Sequence, residues 1–231
     1  MDVAEFDQFA EEYLAVHAGN VRLSGESPEY FSRYKVEELR RRWTAERFAE
    51  PGAILDFGAG IGSSLPFIAK AFPNARLVGL DVSEKSLAVA ARRFPGAAEL
   101  IRYDGAEPPL ARGSFDLIYS ACVFHHIPPA EHIAVFRQLR RLLSPFGIMV
   151  IFEHNPLNPA TRHIVATCPF DANAILLPAN QLKRGQEAGG FTDVSIRYTA
   201  FFPSLLKALR PLEHYLAAAP IGAQYYTMAR A

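Results

Sequence analysis

The chain has 231 residues, half of them apolar and a fifth charged, a balance that suits one soluble globular domain able to bury ~70–75% of its unfolded surface. Lysine plus arginine equals aspartate plus glutamate at 24 each, so no net positive field recruits nucleic acid or an acidic membrane. Cys122 and Cys168 fit no metal-ligand spacing, the acidic start lacks a signal-peptide pattern, and no apolar run approaches the ~20 residues that cross a bilayer; no metal is expected, and cytoplasm is the expected address.

In chain order, Val3, Phe6, Ala10, Tyr13, Leu14 and His17 recur at helical spacing and predict a first amphipathic helix. Ser27 then reads as an N-cap with Pro28 at the first helical position, opening a second helix with Phe31, Val36, Leu39, Trp43 and Phe48 among its apolar positions. After Pro51-Gly52 the pattern becomes strand and helix in alternation, which implies parallel strands joined by crossover helices. Strands are expected at 53–57, 76–80, 98–102, 115–120 and 148–152. Crossover helices are expected at 62–71, 83–94 and 129–143, the last closed by Ser144-Pro145-Phe146-Gly147. The basic runs Arg40 to Arg42 and Arg137 to Arg141 read as solvated helix faces.

Beyond Glu153 the rhythm is irregular, with four prolines from Pro156 to Pro178, and the segment reads as an inserted lid or substrate wall. A helix at 180–188, a strand at 191–199 and a strand at 223–229 follow. Leu205, Ala208, Leu209, Leu212, Tyr215, Leu216 and Ala219 share one helical face, broken or kinked at Pro211. That face is expected in the core, with membrane-surface or hydrophobic-substrate contact as the other reading.

The first strand runs into a loop with glycine at 58, 60 and 62, where a helix N-terminus can aim free N–H groups at a ligand. Asp56, Asp81 and Asp104 fall at or just past strand ends, which line the ligand crevice of an open parallel sheet. Asp81 lies about twenty residues past the loop, the spacing at which a carboxylate accepts hydrogen bonds from ribose hydroxyls. Asp104-Gly105-Ala106 could hold an adenine amine or be a plain turn. The glycine spacing departs from that of dinucleotide loops, and no Walker lysine follows, so a pyrophosphate is disfavoured. An adenosine carrying an amino acid, S-adenosylmethionine, fits better.

These motifs, with Phe115 to Ser120, Phe124-His125-His126-Ile127 and Leu142 to Met149, make the chain resemble the class I S-adenosylmethionine-dependent methyltransferases of small molecules. The resemblance covers residues 53–153 closely. It implies an α/β, Rossmann-like, doubly wound seven-stranded sheet, mostly parallel with the last strand antiparallel, carrying two N-terminal helices and a substrate-side insertion. As a single domain, residues 1–50 would form a helical cap, 51–153 the cofactor-binding core and 154–231 the substrate side. The resemblance further implies that Gly58, Ala59 and Gly60 pass beneath the methionine moiety and that Asp81 holds the ribose. Val82 would pack on the adenine, and Asp104, Gly105 and Ala106 would meet its edge. Ser120 and Ala121 would flank the sulfonium, and Tyr30 and Arg33 would close over the cofactor.

Methyl transfer is an in-line displacement that alignment alone can accelerate greatly, so a base is optional. If the acceptor is a hydroxyl, His125, His126 or His154 could take its proton, and Glu153 is a further candidate. The polar insertion, with Asn155, Asn158, Arg162 and His163, suits a small hydroxylated or anionic acceptor, and a natural-product or glycan-pathway hydroxyl is the expected substrate. Non-methylating chemistry at the sulfonium and a non-catalytic partner protein are the rival readings.

Overall fold

Runs of Val, Ile, Leu and aromatic residues between turn signals pair into one seven-stranded sheet. The structure is a computed structural model that describes Gly19 and residues 24–231; the expected first helix, Val3 to His17, lies outside the described residues. The strands are β1 (Ala53–Phe57), β2 (Arg76–Asp81), β3 (Glu99–Arg102), β4 (Phe115–Ala121), β5 (Leu143–His154), β6 (Thr192–Thr199) and β7 (Gln224–Arg230). Their order is β3-β2-β1-β4-β5-β7-β6. Only β7 runs against its neighbours, pairing antiparallel with β5 and β6, as the resemblance implied. After β3 the chain returns to the other side of β1, which makes the carboxyl ends of β1 and β4 the switch point where a ligand crevice opens.

Alternation along the strands sends side chains to two cores. Leu55, Phe57, Ile118, Met149 and Ile151 pack on one face, and Ile54, Leu117, Tyr119, Val150 and Phe152 on the other. Helix α1 (Pro28–Ala45) starts where Ser27 Oγ accepts the Tyr30 N–H at 3.2 Å. It buries Val36, Leu39 and Trp43 beside Leu65, Ile68 and Phe72, contributed by α2 (Leu65–Ala71) and the residue after it. Helices α3 (Glu84–Arg93) and α4 (His132–Leu142) complete the crossovers. The basic runs lie outside the core: Arg40, Arg41 and Arg42 pair with Glu50, Glu38 and Glu46.

Two expectations need correction. Ser144 to Gly147 does not simply close a helix, because Leu143 already pairs with Phe115 and β5 begins there, with a register shift before Leu117. The second concerns the C-terminal apolar face. Residues Ser204–Leu212 form a 3₁₀ run with non-helical φ/ψ at Leu206, and only Glu213–Leu216 is α-helical. Three residues per turn and Pro211 destroy the 3.6-residue stripe, and none of the residues from Ser204 to Leu212 is buried. Leu205 is 92% exposed and Tyr215 75%, so the expected core face lies on the surface.

The same region closes over α1. Tyr34 hydrogen-bonds to Glu213 and Thr199, Glu213 accepts the N–H groups of Phe201 and Phe202 at 3.1 Å each, and Arg210 pairs with Glu26 at 2.6 Å while covering the Tyr30 ring. The insertion supplies α5 (Pro159–Thr167), capped by Asn158, a 3₁₀ turn Pro169–Asp171, and α6 (Ala179–Ala188). No helix among the described residues is long and apolar enough to cross a membrane.

Candidate active site

A cavity of about 550 Å³ opens along the carboxyl ends of β2, β1, β4 and β5, under α1 and the 200–210 segment. Its first half is made by backbone. The Gly58 and Ala59 N–H groups donate to Leu80 O at 2.8 and 3.1 Å, which hangs the glycine loop on the end of β2. Gly58 and Gly60 both have positive φ, but for different reasons: a Cβ at 58 would lie 2.3 Å from Val123 Cγ2, whereas a Cβ at 60 would meet open space. Both glycines line the cavity, but Gly58 is required by packing against Val123, whereas nothing crowds Gly60.

Asp81 secures this loop as well as facing the cavity. Its Oδ2 accepts the Gly60 N–H at 2.8 Å and its Oδ1 the Ser83 N–H at 2.9 Å, which places an acceptor carboxylate of the kind that suits ribose hydroxyls at the end of β2. Asp56, buried in β1, has its acid pushed up to about 8 by burial and then by the Asp81 charge, so it is protonated at pH 7. The space, the open Gly60 and the carboxylate fit S-adenosylmethionine.

Of the expected cofactor residues, Tyr30, Asp56, Gly58, Ala59, Gly60, Asp81, Val82 and Ala121 line the cavity. Asp104, Gly105, Ala106, Ser120 and Arg33 do not. Asp104 is exposed and accepts the Ala106 N–H at 2.9 Å, a turn beside Val82. Ser120 is fully buried with an Oγ that lacks a hydrogen-bond partner, and Arg33 faces Glu37 at 3.7 Å on the outer side of α1. Tyr103 lines the cavity unforeseen.

The second half is made by side chains. After β4, Cys122 takes a positive φ of 59° and the chain turns through a 3₁₀ segment, Phe124–His126. Glu153, fully buried near the end of β5, holds that turn: it accepts the N–H of Val123 at 3.1 Å and of Phe124 at 2.8 Å, and pairs with His125 Nδ1 at 2.6 Å. On its other side His125 Nε2 lies 3.4 Å from Asp171 Oδ1, and His126 Nε2 lies 3.5 Å from the same oxygen. Nitrogens of both histidines and this carboxylate fall within 4.8 Å of one another, a set with the composition of a cation site. The Glu153–His125–Asp171 pairing accounts for the arrangement without an ion.

The three expected histidines all line the cavity, but their surroundings differ. Burial alone would lower His125, yet Glu153 and the hydrogen-bonded Asp171 outweigh it and hold His125 protonated, well above its ordinary value. For His126, burial and the neighbouring His125 act together and lower it to about 4, so it is neutral at pH 7. Burial would also lower His154, but the Cys122 sulfur raises it; the Cys122 thiol in turn falls below its ordinary value because Lys35 and His154 outweigh burial. Asp171, Cys122 and Lys35 carried no role in the sequence reading. Lys35 had one legible signal, its place on the apolar side of α1 at Lys35, Leu39 and Trp43.

Residues 54–147 match the family model described as a methyltransferase domain. Among curated relatives, a trans-aconitate 2-methyltransferase of Methylobacterium radiotolerans is 30% identical over 203 residues, 86% of this chain and 69% of that protein. One of the same name from Acidovorax ebreus is 33% identical over 145 residues, 60% of this chain and 53% of that protein. The chain spans about half the length of most curated relatives it matches. A solved Thermotoga maritima structure, described as a SAM-dependent methyltransferase and possible histamine N-methyltransferase, superposes with a TM-score of 0.67 over 98% of both chains at 16% identity, a likeness of fold. On the length and identity of the match to its Methylobacterium relative, the chain belongs to the class I S-adenosylmethionine-dependent methyltransferases.

Proposed function

We propose that this protein transfers the methyl group of S-adenosylmethionine to an oxygen of a small anionic or hydroxylated molecule. The observation that carries the reading is one cavity lined by Gly60 and Asp81 together with His125, His126 and His154. S-Adenosylmethionine supplies an electrophilic methyl group there. The chain's own contribution is alignment, because an in-line displacement gains up to about 7–11 kcal/mol from a fixed approach. Ala121 and Cys122 form the floor between the two halves, and the Glu153 clamp fixes the turn that carries the histidines.

The relatives named trans-aconitate 2-methyltransferase support a carboxylate oxygen as acceptor. Such an oxygen is already ionised and needs no base. A hydroxyl of a natural-product or glycan-pathway molecule is the second reading; its base would be His126, neutral at pH 7 but a weak proton acceptor because burial and His125 oppose its charging, whereas Glu153 and Asp171 keep His125 protonated. Methyl-labelled cofactor, offered with a panel of small acids and hydroxylated acceptors, tests both. Label on a carboxylate or hydroxyl oxygen is expected. Product formed while the label stays on the cofactor would replace transfer with non-methylating chemistry, and failure to bind S-adenosylhomocysteine would leave only a partner role.

A further inference from the structure

Among the described residues that line the cavity, one charged side chain lacks a partner. Glu26 pairs with Arg210 at 2.6 Å, Asp171 faces His125 and His126, and Asp81 accepts from Gly60 and Ser83. Asp56 is protonated. Of the lysine and arginine side chains that line the space, Arg210 is therefore taken. Lys35 has neither a carboxylate at ion-pair distance nor a hydrogen-bond partner among the described residues.

Lys35 is also only 7% exposed, set on the side of α1 that buries Val36, Leu39 and Trp43. An ammonium withdrawn from water without a counter-charge is costly, and a chain keeps one where a ligand supplies that charge. Its surroundings locate the ligand. Lys35 acts on Cys122, just past β4; Cys122 is coupled to His154 at the end of β5; and Gln224, opposite His154 in the β5–β7 ladder, lines the cavity with a buried Oε1 that has no partner. The strand order carries this row progressively away from Gly60 and Asp81, toward the acceptor half.

We propose that Lys35 anchors a carboxylate of the methyl acceptor, so that the substrate is a small organic acid. This rests on the transferase reading above. An acid held by one carboxylate on Lys35 presents its remaining oxygens to the floor at Ala121 and Cys122, where alignment for transfer occurs.

Calorimetric titration of the full chain, saturated with S-adenosylhomocysteine, separates the possibilities. Trans-aconitate is the probe and its uncharged trimethyl ester the control. Wild type is expected to bind the acid and not the ester, with Lys35→Met weakening the acid about ten- to hundredfold, Lys35→Arg retaining most of it, and S-adenosylhomocysteine affinity within about twofold throughout. Ligand-free Lys35→Met should melt no lower than wild type, since a buried uncompensated charge is gone; Lys35→Gln gives the same reading if the methionine variant misfolds. Cofactor-product affinity falling in step with the acid would assign Lys35 to the cofactor's own carboxylate and overturn the proposal. So would acid binding unchanged in Lys35→Met, or wild type that binds no acid. Lys35-dependent acid binding without transfer of labelled methyl would remove the transferase reading and leave the anchor in place.

Discussion

The two halves of the cavity are built on opposite principles. The proposed cofactor half, from β1 to the start of the 122–127 turn, is a backbone device: main-chain N–H groups of residues 58–60 bonded to Leu80 and Asp81, with glycine where a Cβ cannot fit. The proposed acceptor half is a side-chain device in which buried ionisable groups from the end of β4, β5, the insertion and α1 determine one another's charge. Backbone sites depend on a few local residues and tolerate change around them. A buried charge network depends on every member, because removing one leaves its partner unpaired.

The largest effect should therefore come from the acceptor half. Glu153→Ala strips two buried N–H groups and His125 of their acceptor, and thermal or denaturant unfolding should show a loss of about 3–5 kcal/mol. Its S-adenosylhomocysteine affinity should suffer less than its stability; the reverse ranking would mean the two halves are one unit. Asp81→Ala is the converse experiment. It removes the carboxylate proposed to hold the ribose hydroxyls, through bonds of about 1.5–3 kcal/mol each, so calorimetry should show cofactor-product affinity falling ten- to thousandfold; the melting temperature should fall too, because Gly60 and Ser83 lose an acceptor, but by less than in Glu153→Ala, since these N–H groups are only partly buried.

Asp56 tests whether the cofactor half holds any buried charge of its own. Its folded acid stands at about 8 against an ordinary 3.8. Between those values the unfolded chain has lost a proton that the folded chain keeps, so this group's contribution to stability falls as pH rises through the window and levels off above it. Asp56→Asn abolishes that dependence, and its melting temperature relative to wild type should climb from about pH 4 to pH 8. A constant difference across that range would show Asp56 ionised in the free protein. The smallest effect belongs outside both halves. Leu205→Ser should change stability by no more than about 0.5 kcal/mol, since the side chain is almost fully exposed, where a core leucine would cost about 2–5 kcal/mol.

Residue by residue, the cavity wall around the glycine loop was legible because its signals are local. A strand, a glycine loop and an acid about twenty residues later are contiguous signals, and Gly58, Ala59, Gly60, Asp81 and Val82 all reached the cavity. Asp104 and Arg33 show the limit of that reading: their segments were placed well, but a side chain's direction follows from its neighbours. The Asp104 carboxylate turned to Ala106 and Arg33 to Glu37. The histidines were found by their position after strand ends, yet which of them carries a proton could not be.

The sequence by itself determined the order of strands and crossovers and the cofactor class, because periodicity and turn chemistry act over a few residues. Tertiary structure alone decided four things. It put Glu153 between the Val123, Phe124 and His125 donors, brought Asp171 from the insertion to the histidine pair, and left Lys35 buried without a counter-charge among the described residues. It also turned the expected core face at Leu205 to Tyr215 outward. Each depends on contacts between segments far apart in the chain, where desolvation and a partner's charge, rather than local spacing, set the outcome.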